Sequence, residues 1–362
     1  MIELNDNMRS NKTKIQETLS SLLEHKSLDQ IRAKVRTVKK DVETLSHDEQ
    51  RIRSRVSHGK TTKVSSTYLL GELNQILATR TMKRTKYYLH RLIRALSETK
   101  TSKINDLNLH RWKEYDDILT DSLWILEKRD TSGAHRGGYW GNFIPQIPNQ
   151  LLRRYTKKGE WVLDAFLGSG TTLIESKRLG RNGVGVELLR NVAHSAAKSI
   201  EQEDDCYSTR TEIIIGDSSN LDFKSELQQR KIKSVQFLMM HPPYWDIVKF
   251  SKDKRDLSNA KSIGEFLNLF GKIVDATYPI LDNNRYCAVV IGDKYSGGTW
   301  IPLGFYAMQE VLKRGYSLKS IIIKNFDETK GKRNQKELWR YRAFVGGFYI
   351  FKHEYIFLFK KG

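Results

Sequence analysis

The chain contains few of the residues that stabilise secreted, metal-binding or membrane-spanning proteins. Its 362 residues include only two cysteines, Cys206 and Cys287, whose separation matches neither a disulfide framework nor a zinc motif. No uninterrupted apolar run approaches the ~18 residues of a membrane-spanning helix, and the polar N-terminus lacks the apolar core of a signal peptide. We therefore expect a cytoplasmic protein with reduced thiols, without a metal site and without a membrane partner.

Acidic residues are also scarce relative to basic ones. The chain has 62 Lys+Arg against 42 Asp+Glu, a net charge of +20, and residues 51–100 alone contain 12 basic but only two acidic residues. This concentration favours a polyanionic partner, because each neutralised phosphate releases counterions. Lys83, Arg84 and Lys86 lie in the most basic stretch, so we expect them to contact nucleic-acid phosphates. A solvated helix face is the alternative interpretation.

Proline is absent from the first 128 residues, although the whole chain has six. In this part, apolar residues recur at helical spacing, as at Leu69, Leu73 and Ile76. We therefore expect residues 1–130 to form a mainly helical, basic region whose charge favours DNA recognition.

The remaining residues, 131–362, follow a different pattern. After a loop rich in glycine and proline, strand-like apolar runs alternate with helix-length segments, which predicts an α/β domain with a mostly parallel, Rossmann-like sheet. The last two runs have no obvious helix between them and predict a closing hairpin with a reversed strand. The predicted strands are Trp161–Ala165, Gly183–Glu187, Glu212–Ile215, Val235–Met240, Tyr286–Ile291, Ser317–Ile323 and Tyr355–Phe359.

A glycine-rich turn follows the first predicted strand. Its residues are Asp164, Phe166, Gly168, Ser169, Gly170, Thr171 and Thr172. Glycines at such a turn permit positive φ and a close approach of the backbone to a ligand, and the amides of the following helix favour electron-rich atoms. A lone glycine-rich turn equally suits a dinucleotide or a plain tight turn.

Two further acids narrow the choice of ligand. Glu187 ends the second predicted strand, 17 residues beyond Gly170, which is close to the ~20 expected for an acid that binds ribose hydroxyls. Asp217 follows the third strand and could accept from an adenine amino group. Three acids at successive strand ends, without a phosphate-binding G-x-x-x-x-G-K, fit an adenosyl cofactor that lacks phosphates.

A second motif, His241-Pro242-Pro243-Tyr244, ends the predicted strand Val235–Met240. Two prolines fix φ and remove two backbone donors, so the carbonyls remain available to an amine that donates hydrogen bonds. The ring of Tyr244 offers a flat face for a base that has been flipped out of a duplex.

Together, these motifs resemble the family of S-adenosylmethionine-dependent amino-methyltransferases that make N6-methyladenine or N4-methylcytosine in DNA. Asp164–Thr172 matches the family's D-x-F-x-G-S-G-T-T almost letter for letter, and the resemblance covers roughly residues 135–362. It implies S-adenosylmethionine as the cofactor and a cover over its methionine part by Phe143, for which ordinary core packing is the alternative. It also implies that His241–Tyr244 holds the amino group during direct attack on the methyl group.

The sequence departs from the family at the first position of the second motif. Adenine enzymes usually have Asp or Asn there and many cytosine-N4 enzymes have Ser, whereas this chain has His241. A neutral imidazole can accept one hydrogen bond and a protonated one cannot. The choice between adenine and cytosine therefore stays open.

Recognition of the target requires contacts outside these motifs, because only 24 residues separate Asp217 from His241. We expect the basic N-terminal region to contribute. Trp245 and the basic, aromatic segment that contains Lys332 and Arg333 are further candidates for contact with the nucleic acid.

The sequence thus predicts a site-specific methyltransferase that acts on the exocyclic amine of a flipped cytosine or adenine in double-stranded DNA. A companion restriction endonuclease is compatible with this function; the recognition sequence and the oligomeric state stay open. One alternative is methylation of an RNA base. The other is a nucleic-acid-binding protein with a degenerate site, which His241 motivates.

Overall fold

The computed structural model describes residues 14–52, 64–135, 138–139, 141–326 and 336–362. The chain divides into two compact units, one of residues 1–103 and 107–118 and the other of residues 104–106 and 119–362. Residues 119–130, assigned above to the N-terminal region, therefore belong to the second unit.

The first unit is mainly helical, as predicted. Residues 14–21 are helical, and the helices α1 (Leu28–Ile52), α2 (Ser66–Leu77) and α3 (Met82–Ser97) follow. Hydroxyl caps begin two of them, since Ser65 accepts from the Tyr68 amide and Thr81 from the Arg84 amide. Their apolar faces pack into one core.

The second unit is an α/β unit built on ten strands among the residues that the structure describes. The strands are β1 (Leu123–Trp124), β2 (Trp161–Asp164), β3 (Asn182–Glu187), β4 (Thr211–Ile215), β5 (Val235–Met240), β6 (Leu281–Ile291), β7 (Lys294–Ser296), β8 (Thr299–Ile301), β9 (Tyr316–Asn325) and β10 (His353–Lys361). The helices are α4 (Gln146–Tyr155), α5 (Thr171–Arg178), α6 (Arg190–Glu201), α7 (Phe223–Gln229), α8 (Ile263–Thr277), α9 (Leu303–Leu312) and α10 (Lys336–Gly346).

Eight strands form one sheet in the order β1-β9-β10-β6-β5-β2-β3-β4, and β7 pairs with β8 in a separate hairpin. Every pair in the large sheet is parallel except those of β10, which runs antiparallel to both β6 and β9. The Rossmann-like fold with a reversed closing strand is therefore confirmed. The last two predicted strands, β9 and β10, also pair antiparallel with each other, as expected of a closing hairpin. The helix α10, which the sequence did not indicate, lies between them in the chain; its residues include the good helix formers Leu338, Arg340 and Ala343.

Successive side chains of the central strands pack alternately into two cores, one on each face of the sheet. In β5, Leu238 and Met240 pack into the core that includes Phe266 of α8, whereas Met239 packs on the opposite side with Leu151 of α4. Successive side chains of a strand point to opposite faces, so an apolar strand needs helices on both sides. No helix of the described residues is long and apolar enough to cross a membrane.

Candidate active site

The glycine turn lies between β2 and α5, at the point where the strand order reverses: β3 pairs with one edge of β2 and β5 with the other. Ligands of open α/β sheets bind at such a switch point, beyond the carboxyl ends of the strands. Gly168 and Gly170 have φ of +53° and +84°, and Gly170 caps the start of α5. The positive φ favours glycine at position 170, and a Cβ there would also crowd Cδ1 of Ile200, at 3.1 Å.

Asp164 lies beneath this turn and is 1% exposed. Its Oδ1 accepts from the Phe166 amide at 2.9 Å, which ties the strand end to the turn. Burial raises the pKa of Asp164 to about 6, although the nearby Thr172 hydroxyl and the Phe166 amide oppose the rise. Asp164 therefore supports the turn from below.

Glu187 ends β3 and faces the same turn. One carboxylate oxygen accepts from the Gly168 amide at 3.0 Å and the other from the Leu189 amide at 2.9 Å. Burial raises the pKa of Glu187, while these two amides lower it. An ionised carboxylate has about four acceptor positions, so Glu187 is held in place and can still accept from a ligand.

Asp217 follows β4 at the same edge of the sheet and is half-buried. Its Oδ1 accepts from the amide and from the hydroxyl of Ser219, both at 2.8 Å. The adjacent Ser218 hydroxyl donates to the Ala165 carbonyl at 2.7 Å and fixes this loop against the glycine turn.

The segment before α4 closes over the turn. Thr171 Oγ1 donates to Asn142 Oδ1 at 2.6 Å. Phe143 is 8% exposed, and its ring meets that of His241 edge-on at 4.8 Å between centroids. Phe143 is therefore both a packed aromatic residue and part of the boundary between the two predicted ligand regions.

The loop after β5 joins the site at this point. The Tyr244 hydroxyl donates to Glu354 Oε2 at 2.7 Å, and His241 Nε2 lies 3.3 Å from the same hydroxyl. Burial lowers the pKa of His241 to about 4; Glu354 opposes this shift and Lys324 adds to it. His241 is thus a neutral imidazole at physiological pH.

The sequence reasoning missed Glu354 and Lys324. Because β10 is antiparallel to its neighbours, its first residues lie beside the carboxyl ends of the parallel strands, and Glu354 is in register with Lys324 of β9. Lys324 Nζ lies 3.0 Å from Glu354 Oε1. The predicted reversal of the last strand was the signal that could have placed Glu354 at this edge of the sheet.

A further group of polar contacts surrounds the opening of the site. Lys294 forms an ion pair with Asp246, and its ammonium group lies 4.1 Å from the ring centroid of Trp245. The indole N–H of Trp245 donates to the Ala260 carbonyl at 2.9 Å. Trp245 is therefore held by contacts within the chain.

Most of the predicted site residues line one cavity of about 1110 Å³. Of the residues predicted for the glycine turn, the strand ends and the base loop with Trp245, four lie outside this lining: Asp164, Gly170 and Thr172 under the turn, and Trp245 beside the loop. Residues that the sequence did not single out for the site include Tyr139, Asp293, Lys324 and Glu354. The predicted residues of the lining are Phe143, Phe166, Gly168, Ser169, Thr171, Glu187, Asp217, His241, Pro242, Pro243 and Tyr244.

The predicted phosphate contacts lie elsewhere in the chain. Lys83 and Arg84 are exposed on α3 and Lys86 is half-buried there, while Tyr87 is 58% exposed on the same helix. Lys332 and Arg333 lie outside the described residues. Within the described ranges, no cluster of His, Cys, Asp or Glu could hold a metal ion.

Comparison with known proteins gives a family and several relatives. Residues 26–198 match the model of a family described as DNA methylase, of the N6/N4 methyltransferase type. This match includes the glycine turn and Glu187, ends before His241, and begins further toward the N-terminus than the motifs indicated. It covers somewhat less than half of the chain.

Two curated relatives are Type II methyltransferases. M.MjaII of Methanocaldococcus jannaschii is 38% identical over 84 residues, which cover 21% of this chain and 16% of that protein. M2.DpnII of Streptococcus pneumoniae is 32% identical over 108 residues, 28% of this chain and 40% of that protein. The chain thus spans well under two thirds of the length of these relatives. The predicted resemblance to the DNA amino-methyltransferase family is confirmed.

Among solved structures, TrmN from Thermus thermophilus is similar over 61% of this chain and 49% of that chain, with 16% sequence identity and a TM-score of 0.40.

Proposed function

We propose that this chain is a DNA amino-methyltransferase, which transfers a methyl group from S-adenosylmethionine to the exocyclic amine of cytosine (N4) or adenine (N6) in double-stranded DNA. The observation that carries the proposal is the single cavity of about 1110 Å³ that both motifs line. Ordinary ligand pockets measure about 300–1,000 Å³. A cavity slightly larger than this range has room for a nucleoside cofactor and for a flipped base.

The residues of the turn fit the cofactor by their chemistry. Glu187 has acceptor positions for the two ribose hydroxyls, and Asp217 has a second carboxylate oxygen for an adenine amino group. Phe143 and Phe166 add apolar surface to the lining. When bound, the cofactor supplies an electrophilic methyl group on a sulfonium sulfur.

The proline loop fits the amine. The residues Pro242 and Pro243 have no N–H, so this part of the loop can only accept hydrogen bonds from an amino group. Exocyclic nitrogens of cytosine and adenine are poor nucleophiles, because their lone pairs are delocalised into the ring. Acceptors that hold both amino hydrogens favour a lone pair localised on the nitrogen. Alignment of this nitrogen with the methyl group of the cofactor supplies much of the rate enhancement. No covalent protein intermediate is needed.

Two surfaces, one basic and one aromatic, are proposed to hold the DNA. The first is α3, which has five Lys or Arg residues and no acidic residue. The second borders the cavity, where Trp339 and Phe351 contribute to the lining and Tyr341, Phe344 and Tyr349 are 66%, 75% and 88% exposed. Exposed aromatic rings next to a base pocket suit a duplex from which one base has been withdrawn, because they can stack in the opened step.

Trp245 is proposed to contribute indirectly, by supporting the base loop. Lys332 and Arg333 are proposed, from their charge alone, to contact DNA phosphates. A companion restriction endonuclease belongs to the same proposal; two relatives are described as Type II methyltransferases.

The decisive experiment is methyl transfer to mixed-sequence duplex DNA, followed by mass spectrometry of the nucleosides. N4-methylcytosine or N6-methyladenine would support the proposal and would settle the base. A methylated nucleoside only in RNA, tested at the same salt concentration, would contradict it. Cofactor binding without turnover on any nucleic acid would support the binding-only alternative.

A further inference from the structure

Four side chains form a continuous line from β9 into the cavity. Lys324 Nζ lies 3.0 Å from Glu354 Oε1, the Tyr244 hydroxyl lies 2.7 Å from Glu354 Oε2, and His241 Nε2 lies 3.3 Å from the Tyr244 hydroxyl. Lys324 and Glu354 are 6% and 9% exposed. The buried ion pair at one end of this hydrogen-bonded chain determines which of its groups donate and which accept.

The protons of this line can be assigned one by one. Burial by itself would raise the pKa of Glu354, but the Lys324 ammonium group and the other partners outweigh it and lower that pKa, so the carboxylate is ionised and only accepts. Burial beside this carboxylate raises the pKa of Tyr244 well above its usual value, so the phenol keeps its proton. That one proton is donated to Glu354.

The state of His241 follows from this assignment. Because the Tyr244 proton is used toward Glu354, the contact between Tyr244 and Nε2 of His241 requires that Nε2 carries the hydrogen and donates. The ring is neutral, since burial lowers the pKa of His241 to about 4. Nδ1 therefore has a free lone pair, and it has no hydrogen-bond partner among the described residues. The edge-on contact with Phe143 fixes the plane of the ring.

We propose that Glu354, itself held by Lys324, is a positioning residue that acts through Tyr244 to set the tautomer of His241, so that Nδ1 accepts a hydrogen bond from the exocyclic amine of the target base. This inference rests on the proposed function. It explains how an imidazole can replace the acceptor oxygen that the family usually has at this position. The contacts with Tyr244 and Glu354 disfavour the tautomer that is protonated on Nδ1. In that tautomer, Nδ1 would be a hydrogen-bond donor and could not accept from the amine.

A spectroscopic experiment tests the tautomer without any assay of activity. The intact protein is labelled with ¹⁵N at its histidine rings, and long-range ¹H–¹⁵N spectra distinguish protonated from bare ring nitrogens. Signals of His241 are those lost in His241→Asn. We expect Nε2 protonated and Nδ1 bare in the native protein, and a mixture of tautomers in Tyr244→Phe, which keeps the ring and the Glu354–Lys324 pair.

Tyr355→Phe is the matched control. It removes the hydroxyl of another buried tyrosine, which lies 3.2 Å from His353 Nε2 and donates to Asp293 Oδ2 at 3.2 Å. The signals of His241 should not change. Glu354→Gln combined with Lys324→Met removes both charges together, so that neither is left buried alone, and should also give mixed tautomers.

A kinetic cycle tests the consequence. Tyr244→Phe should lower kcat about tenfold in the native background, the effect of one weakened acceptor, with little change in the affinity for the cofactor. In a His241→Asn background, whose acceptor has no tautomer to be set, the same change should have a much smaller effect. Equal losses in both backgrounds would overturn the inference, because they would show that the hydroxyl acts only on packing.

The two proposals fail in different ways. A native His241 that is protonated on Nδ1, with methylation of DNA intact, would overturn the inference and leave the proposed function in place. The expected tautomer without methylation of any DNA would overturn the proposed function and, with it, the role of Nδ1.

Discussion

At the scale of single residues, the site depends on carboxylates whose orientation is fixed by backbone amides. Glu187 shows this most clearly, because each of its oxygens accepts from one amide of the surrounding turns. A side chain held in this way is ready for its ligand before binding, so little conformational entropy is lost when the ligand arrives.

We expect Glu187→Gln to weaken cofactor binding about tenfold to hundredfold, since hydrogen bonds to a charged group contribute about 1.5–3 kcal/mol. Isothermal titration calorimetry of the cofactor measures this loss. Glu212→Gln is the control, because Glu212 lies on the neighbouring strand β4 and pairs with Arg210 at 2.8 Å, away from the cavity lining. Unchanged affinity in Glu187→Gln would remove this residue from the cofactor site.

The buried carboxyl group of Asp164 makes the stability of the protein depend on pH. The folded-state pKa of Asp164, about 6, lies above the ordinary value of 3.8. The folded state therefore binds the proton of Asp164 more tightly than the unfolded state does. This contribution to the free energy of unfolding is fully present below about pH 4 and is lost as the pH rises through about 6. In the cofactor-free protein, Asp164→Asn should be more stable than the native chain by about 3 kcal/mol at pH 8.

This advantage should decrease below pH 6 and nearly vanish at pH 4. Urea unfolding at several pH values gives the two free energies of unfolding. A difference that is the same at pH 4 and at pH 8 would show that Asp164 is not destabilised by its burial.

At the scale of secondary-structure elements, α3 is the helix most suited to phosphates. The triple variant with Lys83→Ala, Arg84→Ala and Lys86→Ala should bind DNA with a weaker salt dependence. The slope of log K against log salt concentration should decrease in magnitude by about 0.9 for each phosphate contact that is lost. The control is a second triple variant, with Lys34→Ala, Arg36→Ala and Lys40→Ala on α1. It removes the same charge from exposed positions of the same unit. Equal slopes in the two triple variants would indicate that α3 has only a general electrostatic effect.

The helix α10 and the residues after it lead to a different expectation. Phe344→Ala with Tyr349→Ala should weaken the binding of duplex DNA about tenfold or more, since stacking of one base on an aromatic ring contributes about 1–3 kcal/mol. The affinity for the cofactor should not change. Ile125→Ala, at a residue that is 62% exposed, is the control. DNA affinity that is the same in the native chain and in the double variant would exclude this surface.

At the scale of the whole molecule, each of the two units has its own apolar core. We expect two calorimetric transitions, of which only the transition of the α/β unit moves to a higher temperature when cofactor is added. A free cofactor concentration of a hundred times Kd should raise the free energy of unfolding of that unit by about 2.7 kcal/mol. Leu73→Ala, which truncates a fully buried residue of α2, should lower the other transition and so identify it. A single transition that shifts as one with cofactor would contradict this division.

Much of the α/β unit was predictable because its strands are short apolar runs between clear turn signals. Val235–Met240 was predicted with its observed bounds, and the other six predicted strands are also present. The two-residue strand β1 carries no periodicity and exists only because Ile323 and Lys324 of β9 offer it a partner. The helix α10 was missed because a basic, aromatic segment does not distinguish a loop from a helix.

The sequence by itself determined the glycine turn, the three acids at strand ends and the proline loop, because each depends on local conformation and on the chemistry of adjacent residues. Only the tertiary structure decided that Glu354 and Lys324 join them. These two residues are 30 positions apart in the chain, and Tyr244 is 110 positions from Glu354. They meet because β10 enters the sheet in the reverse direction, and the register between antiparallel strands depends on packing across the whole sheet rather than on neighbours in the chain.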